Sequence, residues 1–187
     1  QQSTRRMGFD AEIVEITNLR GDLKLKTVYK PTTTASIADL KLHWDGKRVM
    51  FTSIMPDKRW NVFEVKLDGT GCKPLVETVE PDLEFYDGTY LPDGRIIANS
   101  NIGYQGVPCV SGADPVGNMV LYTPKDKGLR RLTFDQDANW NPVIMHNGRV
   151  MYTRWEYTDL THYFSRIIMH MNPDGTENKA LFGSGAM

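Results

Sequence analysis

Apolar and polar residues alternate at Leu40, Leu42 and Trp44, which are separated by Lys41 and His43. A period of two predicts a strand with one face buried. The alternation breaks at Asp45-Gly46-Lys47 and gives way to the apolar run Val49-Met50-Phe51. The same events recur at Asp93-Gly94-Arg95, followed by Ile96-Ile97-Ala98, and at Asn147-Gly148-Arg149, followed by Val150-Met151-Tyr152. Six residues before each turn Asp or Asn stands another such residue: Asp39, Asp87 and Asn141. Asp-Gly and Asn-Gly supply the positive φ angles of two-residue hairpin turns, so the flanking segments are predicted to be antiparallel strands.

A second turn follows each hairpin, at Leu67-Asp68-Gly69-Thr70, Asp126-Lys127-Gly128 and Asn172-Pro173-Asp174-Gly175-Thr176, with a fainter copy at Asn18-Leu19-Arg20-Gly21. Apolar strands lead into it: Val62–Val65, Met119–Tyr122, Ile167–His170 and Glu12–Ile16. Its glycines, Gly21, Gly69, Gly128 and Gly175, are spaced by 48, 59 and 47 residues. That period fits a unit of four short antiparallel strands, the blade of a β-propeller. An insertion from Gly103 to Gly117 accounts for the longer middle spacing. The expected fold class is all-β: residues 11–31 form a half blade, and residues 37–78, 84–134 and 139–183 form three full blades. About three and a half blades cannot close a ring, so the segment is expected to belong to a larger six- to eight-bladed propeller. The remaining blades would come from the same chain or a partner subunit, because an open arc leaves strand edges and an apolar face in water.

Composition narrows the function classes. The chain has 187 residues, 40 % hydrophobic and 24 % charged, with 22 basic and 23 acidic residues spread evenly. No basic block offers a footprint for nucleic acid. No apolar run reaches the roughly 18 residues of a membrane span. The two cysteines, Cys72 and Cys109, form no Cys-x-x-Cys and so no haem-attachment motif; they are read as a disulfide or as two separate thiols. There is no Gly-x-Ser-x-Gly elbow, phosphate loop or dinucleotide fingerprint.

The run Asp87-Gly88-Thr89-Tyr90-Leu91-Pro92-Asp93-Gly94-Arg95-Ile96-Ile97 resembles the repeats of TolB-like (PD40-type, WD40-like) propellers. The stretches Gly106-Val107-Pro108-Cys109, Asn139-Trp140-Asn141-Pro142, Tyr152–Asp159 and Met171–Thr176 resemble the middle domain of the hydrazine synthase alpha subunit. That resemblance implies an exported, periplasmic or cell-surface bacterial protein. Hydrazine synthase carries its c-type haems outside this propeller, and no haem motif is present here. A rigid repeat without a complete catalytic set points to a non-enzymatic scaffold or binding module recognising a protein or glycan through one face. The alternative is a segment of a propeller enzyme, a metal-assisted polysaccharide lyase or a redox protein.

The candidate ligand-binding residues fall in three places. Arg154, Trp155, Glu156, Tyr157, Asp159 and His162 leave the second strand of the last blade in a long connection. Glu156, Asp159 and His162 have the donor types for a divalent cation or for acid–base work. The plainer reading is that Arg154 pairs with Glu156 or Asp159 and Trp155 packs between blades. Tyr104 lies in the insertion, a rim loop shaping a binding mouth or a longer connection without a role of its own. Asp87 and Asn141, with Asp39, recur once per blade near the expected channel. They are read first as caps for backbone N–H groups, and second as a ring able to hold a cation or water. No cofactor is expected beyond such a cation.

Overall fold

The structure, a computed structural model, describes residues 5–107, 112–155 and 166–183. All regular elements are strands, and all pair antiparallel. β1 (Ile13–Thr17) and β2 (Lys24–Tyr29) form a two-stranded sheet. Three four-stranded meanders follow: β3 (Ala38–Leu42), β4 (Arg48–Ile54), β5 (Trp60–Lys66) and β6 (Lys73–Pro74); β7 (Phe85–Tyr90), β8 (Ile96–Ser100), β9 (Asn118–Thr123) and β10 (Gly128–Arg131); β11 (Asn139–Ile144), β12 (Val150–Trp155), β13 (Arg166–Met171) and β14 (Lys179–Phe182). The first strands of successive sheets touch, β3 with β7 and β7 with β11, which places them on the axial side. This is a β-propeller segment of three blades preceded by the two outer strands of another.

The turns differ from the two-residue loops expected. His43 N–H donates to Arg48, Leu91 N–H to Arg95 and Met145 N–H to Arg149, so the loops hold four, three and three residues. Only the glycine is left-handed (φ 66°, 87° and 79° at Gly46, Gly94 and Gly148). The preceding Asp or Asn keeps ordinary φ, and its side chain accepts the N–H two residues on: Asp45 from Lys47 at 2.8 Å, Asp93 from Arg95 at 3.0 Å, Asn147 from Arg149 at 3.1 Å. A type I turn closed by a left-handed residue is the usual three-residue hairpin. In two outer turns the left-handed position falls on Lys127 and Asn18 rather than on Gly128 and Gly21.

Each core lies between blades. Val49, Phe51 and Val65 pack on Ile13 and Val28 of the half blade. Met50, Val62 and Val76 meet Phe85, Tyr90, Ile96, Ala98, Val120 and Tyr122. Ile97, Met119 and Leu121 meet Val150, Tyr152, Met169 and Met171. Residues of alternate parity on one strand, Met50 against Val49 and Phe51, therefore serve two different seams. A Cβ at Gly88 would sit 2.6 Å from Met50 Sδ and 2.9 Å from a Val62 methyl, so the second blade's inner strand approaches the first as closely as a glycine permits.

Polar contacts reinforce the seams. Tyr90 donates its hydroxyl to Glu64 at 2.9 Å, Arg48 reaches the same carboxylate at 3.2 Å, and the His43 ring stands edge-on to Tyr90 at 4.6 Å. Burial and the Glu64 carboxylate raise the Tyr90 hydroxyl's pKa, so it remains a donor. At the N-terminal end Arg6 pairs with Glu84 of the second blade and lies over the Trp60 ring.

Candidate functional site

The inner strands carry the same irregularity three times. Register shifts fall between Ala38 and Lys41, between Tyr86 and Thr89, and between Trp140 and Val143. Within each, Asp39, Asp87 or Asn141 is left-handed, with φ of 56°, 50° and 56°. Asp and Asn tolerate this conformation better than other non-glycine residues. The bulge withdraws the residue's N–H from its own ladder, and the preceding blade accepts it. Asp87 N–H donates to Thr52 Oγ1 at 2.8 Å, and Asn141 N–H donates to the Asp87 carboxylate. Of the three, Asp87 is seen capping a backbone group of the next blade, through its carboxylate on the Asn141 N–H.

Asp87 is only 2 % exposed. Asn99, on the adjoining strand, donates to its carboxylate at 3.3 Å. Burial, and secondarily the nearby Asp39 carboxylate, push the Asp87 pKa up to about 6 against the opposing pull of the Asn141 N–H and Lys41. Tyr86 pairs with Asn99 across the sheet, on the face turned toward the third blade. A Cβ at Gly117 would collide with the Tyr86 hydroxyl, and the Gly117 carbonyl accepts Asn139 N–H at 2.9 Å. Asn139 is fully buried and donates to Thr133 at 3.1 Å and Asp135 at 3.2 Å. Tyr86 Oη, Asn99 Oδ1 and Asn139 Oδ1 are buried without a hydrogen-bond partner among the described residues.

The insertion is a small hairpin fixed to the last blade. Gly106 bridges Pro115, Val107 N–H donates to Asp114 at 2.8 Å, and Val116 N–H donates to Gln105 at 2.7 Å. Val107 and Val116 pack with Trp155 and Trp140, whose rings lie 6.0 Å apart. The Arg166 guanidinium covers both indoles at 4.9 and 5.3 Å. Trp155 is buried in this cluster, and Arg154 pairs with Asp135 at 3.0 Å. Tyr104 is 63 % exposed at the rim. Glu156, Tyr157, Asp159 and His162 lie outside the described residues, as does Cys109. Cys72 is a free, exposed thiol beside the Tyr29 hydroxyl; burial and the Cys72 thiol raise the Tyr29 pKa to about 12. Among the described residues no three His, Cys, Asp or Glu side chains converge on a metal-sized site.

Tyr86, Asn99 and Asn139 carried no sequence signal as a group. Only the polar run Asn99-Ser100-Asn101 at the end of an apolar strand hinted at a non-core role.

No family model matches the sequence, and no curated protein sequence matches it. Solved structures do. A TolB of Agrobacterium tumefaciens superposes with a TM-score of 0.62 at 17 % identity, over 84 % of this chain and 52 % of that one. Hydrazine synthase of Kuenenia stuttgartiensis gives 0.66 at 12 % identity, over 97 % of this chain and 29 % of that one. TolB of Acinetobacter baumannii gives 0.61 at 14 % identity, over 92 % and 41 %. The chain spans about half or less of the length of each. At these identities the likeness establishes architecture: the chain has the TolB-like β-propeller fold.

Proposed function

We propose that the chain is a scaffold or binding segment of an exported bacterial propeller protein, joining further blades at its open ends and recognising a protein or glycan through one face. The observation that carries this reading is on β3. Leu40 and Leu42 occupy the positions of Gly88 and Tyr90 in the next blade, by their place relative to Asp39 and Asp87. Tyr90 is 6 % exposed beneath the preceding blade, whereas Leu40 and Leu42 are 50 % and 62 % exposed. The difference arises because the half blade consists of two outer strands, so nothing among the described residues stands opposite Leu40 and Leu42 as Met50 and Val62 stand opposite Gly88. A contiguous apolar stripe beside an open strand edge is a surface built to be covered. Two further strands paired on β1 would cover it.

The TolB neighbours support an interaction role and an exported location as the reading to test. Tyr104 on the rim, carried by a braced hairpin, is the residue best placed to meet a partner on that face.

Sedimentation velocity tests the stripe. The isolated chain should self-associate with rising concentration, and Leu40→Ser combined with Leu42→Ser should weaken that association. A wild-type chain that stays monomeric at high micromolar concentration sinks the reading. Native electrophoresis in gels containing soluble bacterial polysaccharide tests the glycan arm, with retardation expected to weaken in Tyr104→Ala.

A further inference from the structure

We propose that the axial end of the seam between the second and third blades binds one calcium-type divalent cation, held by the Asp87 carboxylate and the amide oxygens of Asn99 and Asn139, with the Tyr86 hydroxyl beside them.

The first support is the choice of residue at position 87. Asn141 holds the same left-handed place in the third blade, so an amide meets the backbone requirement without a charge. An Asn side-chain oxygen could also accept the Asn141 N–H and the Asn99 amide that Asp87 receives. The charge at 87 is therefore not needed for the fold. It stands at a place 2 % exposed, with the Asn99 amide and the Asn141 N–H as its hydrogen-bond partners. A buried charge of this kind calls for a counter-charge.

The second support is independent of the carboxylates. Asn99, wholly buried and lying with its amide nitrogen on Asp87, has its Oδ1 unsatisfied among the described residues. Asn139 Oδ1 and Tyr86 Oη are in the same condition; Gly117 brings the Tyr86 hydroxyl beside the Asn139 backbone, and the Asn139 amide nitrogen is held by Thr133 and Asp135. Buried polar atoms left without partners mark a missing ion or water, and here the surplus is of oxygens. A water would satisfy the amide oxygens but not the charge. Carboxylate and amide oxygens, with no imidazole or thiolate among the described seam residues, select a hard cation over a transition metal.

The experiment is thermal unfolding of the whole chain, after chelator treatment, with and without millimolar calcium chloride. Wild type should gain about 5 °C at saturating ion, the size of shift expected when a ligand binds only the folded state. Asp87→Asn should fold and show no gain. No gain in wild type, or a gain that persists in Asp87→Asn, overturns the proposal and leaves ordered water as the occupant. A gain lost in Asp159→Asn or His162→Ala but kept in Asp87→Asn also overturns it, assigning the ion to the connection after β12. None of these outcomes depends on the exposed stripe of β3, which self-association reads separately.

Discussion

At the seam between the first and second blades, Ala38 and Thr52 form a cross-strand pair, Phe85 packs on Met50 and Val62, and the Thr52 hydroxyl accepts the Asp87 N–H. At the next seam the same two positions are Tyr86 and Asn99, and the place of Phe85 is taken by Asn139. The backbone register is shared, yet the first seam is hydrocarbon whose polar groups are satisfied, Thr52 by the Asp87 N–H and Glu64 by Tyr90 and Arg48. The other gathers an amide pair, a phenol and a carboxylate, with oxygens to spare. A repeat fold fixes where side chains meet but not what they must be, so a departure from the apolar solution locates chemistry that the architecture alone does not require.

Three measurements can break or sharpen that contrast. The largest effect belongs to the apolar seam. Met50→Ala removes a fully buried side chain and should cost about 3 kcal/mol in urea unfolding. Gly88→Ala should cost about 2 kcal/mol because its Cβ meets Met50 and Val62. The two losses should be strongly sub-additive in the double variant, since the first makes room for the second. Simple additivity would show that the blades do not meet as described.

The second effect is pH-dependent and confined to the polar seam. Asp87 has its folded pKa raised to about 6, by burial first and by Asp39 second, with Lys41 and the Asn141 N–H opposing; Asn99 and Thr52 are its neutral neighbours. A carboxyl with a raised folded pKa favours the native state in its protonated form. Its contribution is therefore complete below about pH 4 and is lost as pH rises through about 6. In chelator, wild-type stability should fall by about 2 kcal/mol across that window relative to Asp87→Asn. Parallel pH profiles for the two proteins would show that Asp87 is not the buried titrating group.

The smallest effect is a control for both seams. Lys127 and Glu77 form an exposed pair between the first and second blades at 2.6 Å. Lys127→Ala should leave the urea unfolding midpoint almost unchanged, and the more so in high salt. A larger loss would mean that surface charge, not the packed and polar interiors, holds the blades together.

Much of the architecture was legible because hairpin turns have local chemistry. Asp45, Asp93 and Asn147 announce their turns through the side-chain bond each makes two residues on. Loop length was less legible. The left-handed angle sits on glycine alone, and the first blade spends an extra residue near Trp44 that no dipeptide signal encodes. The inner Asp and Asn residues were recognisable as a recurring set from their period, and what they share is a left-handed bulge. Asn99, Tyr86 and Asn139 were not recognisable as neighbours, because their proximity depends on strand register and on the angle between sheets. Leu40 and Leu42 illustrate the reverse: alternation correctly gave a strand, but whether its apolar side is covered depends on the neighbouring blade and not on the local pattern.

The hairpin between β8 and β9 grows from the second blade and rests its two valines on indoles of the third. Any change in the pitch between those two blades must drag it along, and with it the tyrosine ring displayed at the rim. The tyrosine and the junction of the two blades therefore share one set of side chains, and a change at the junction is carried to the rim through Val107 and Val116.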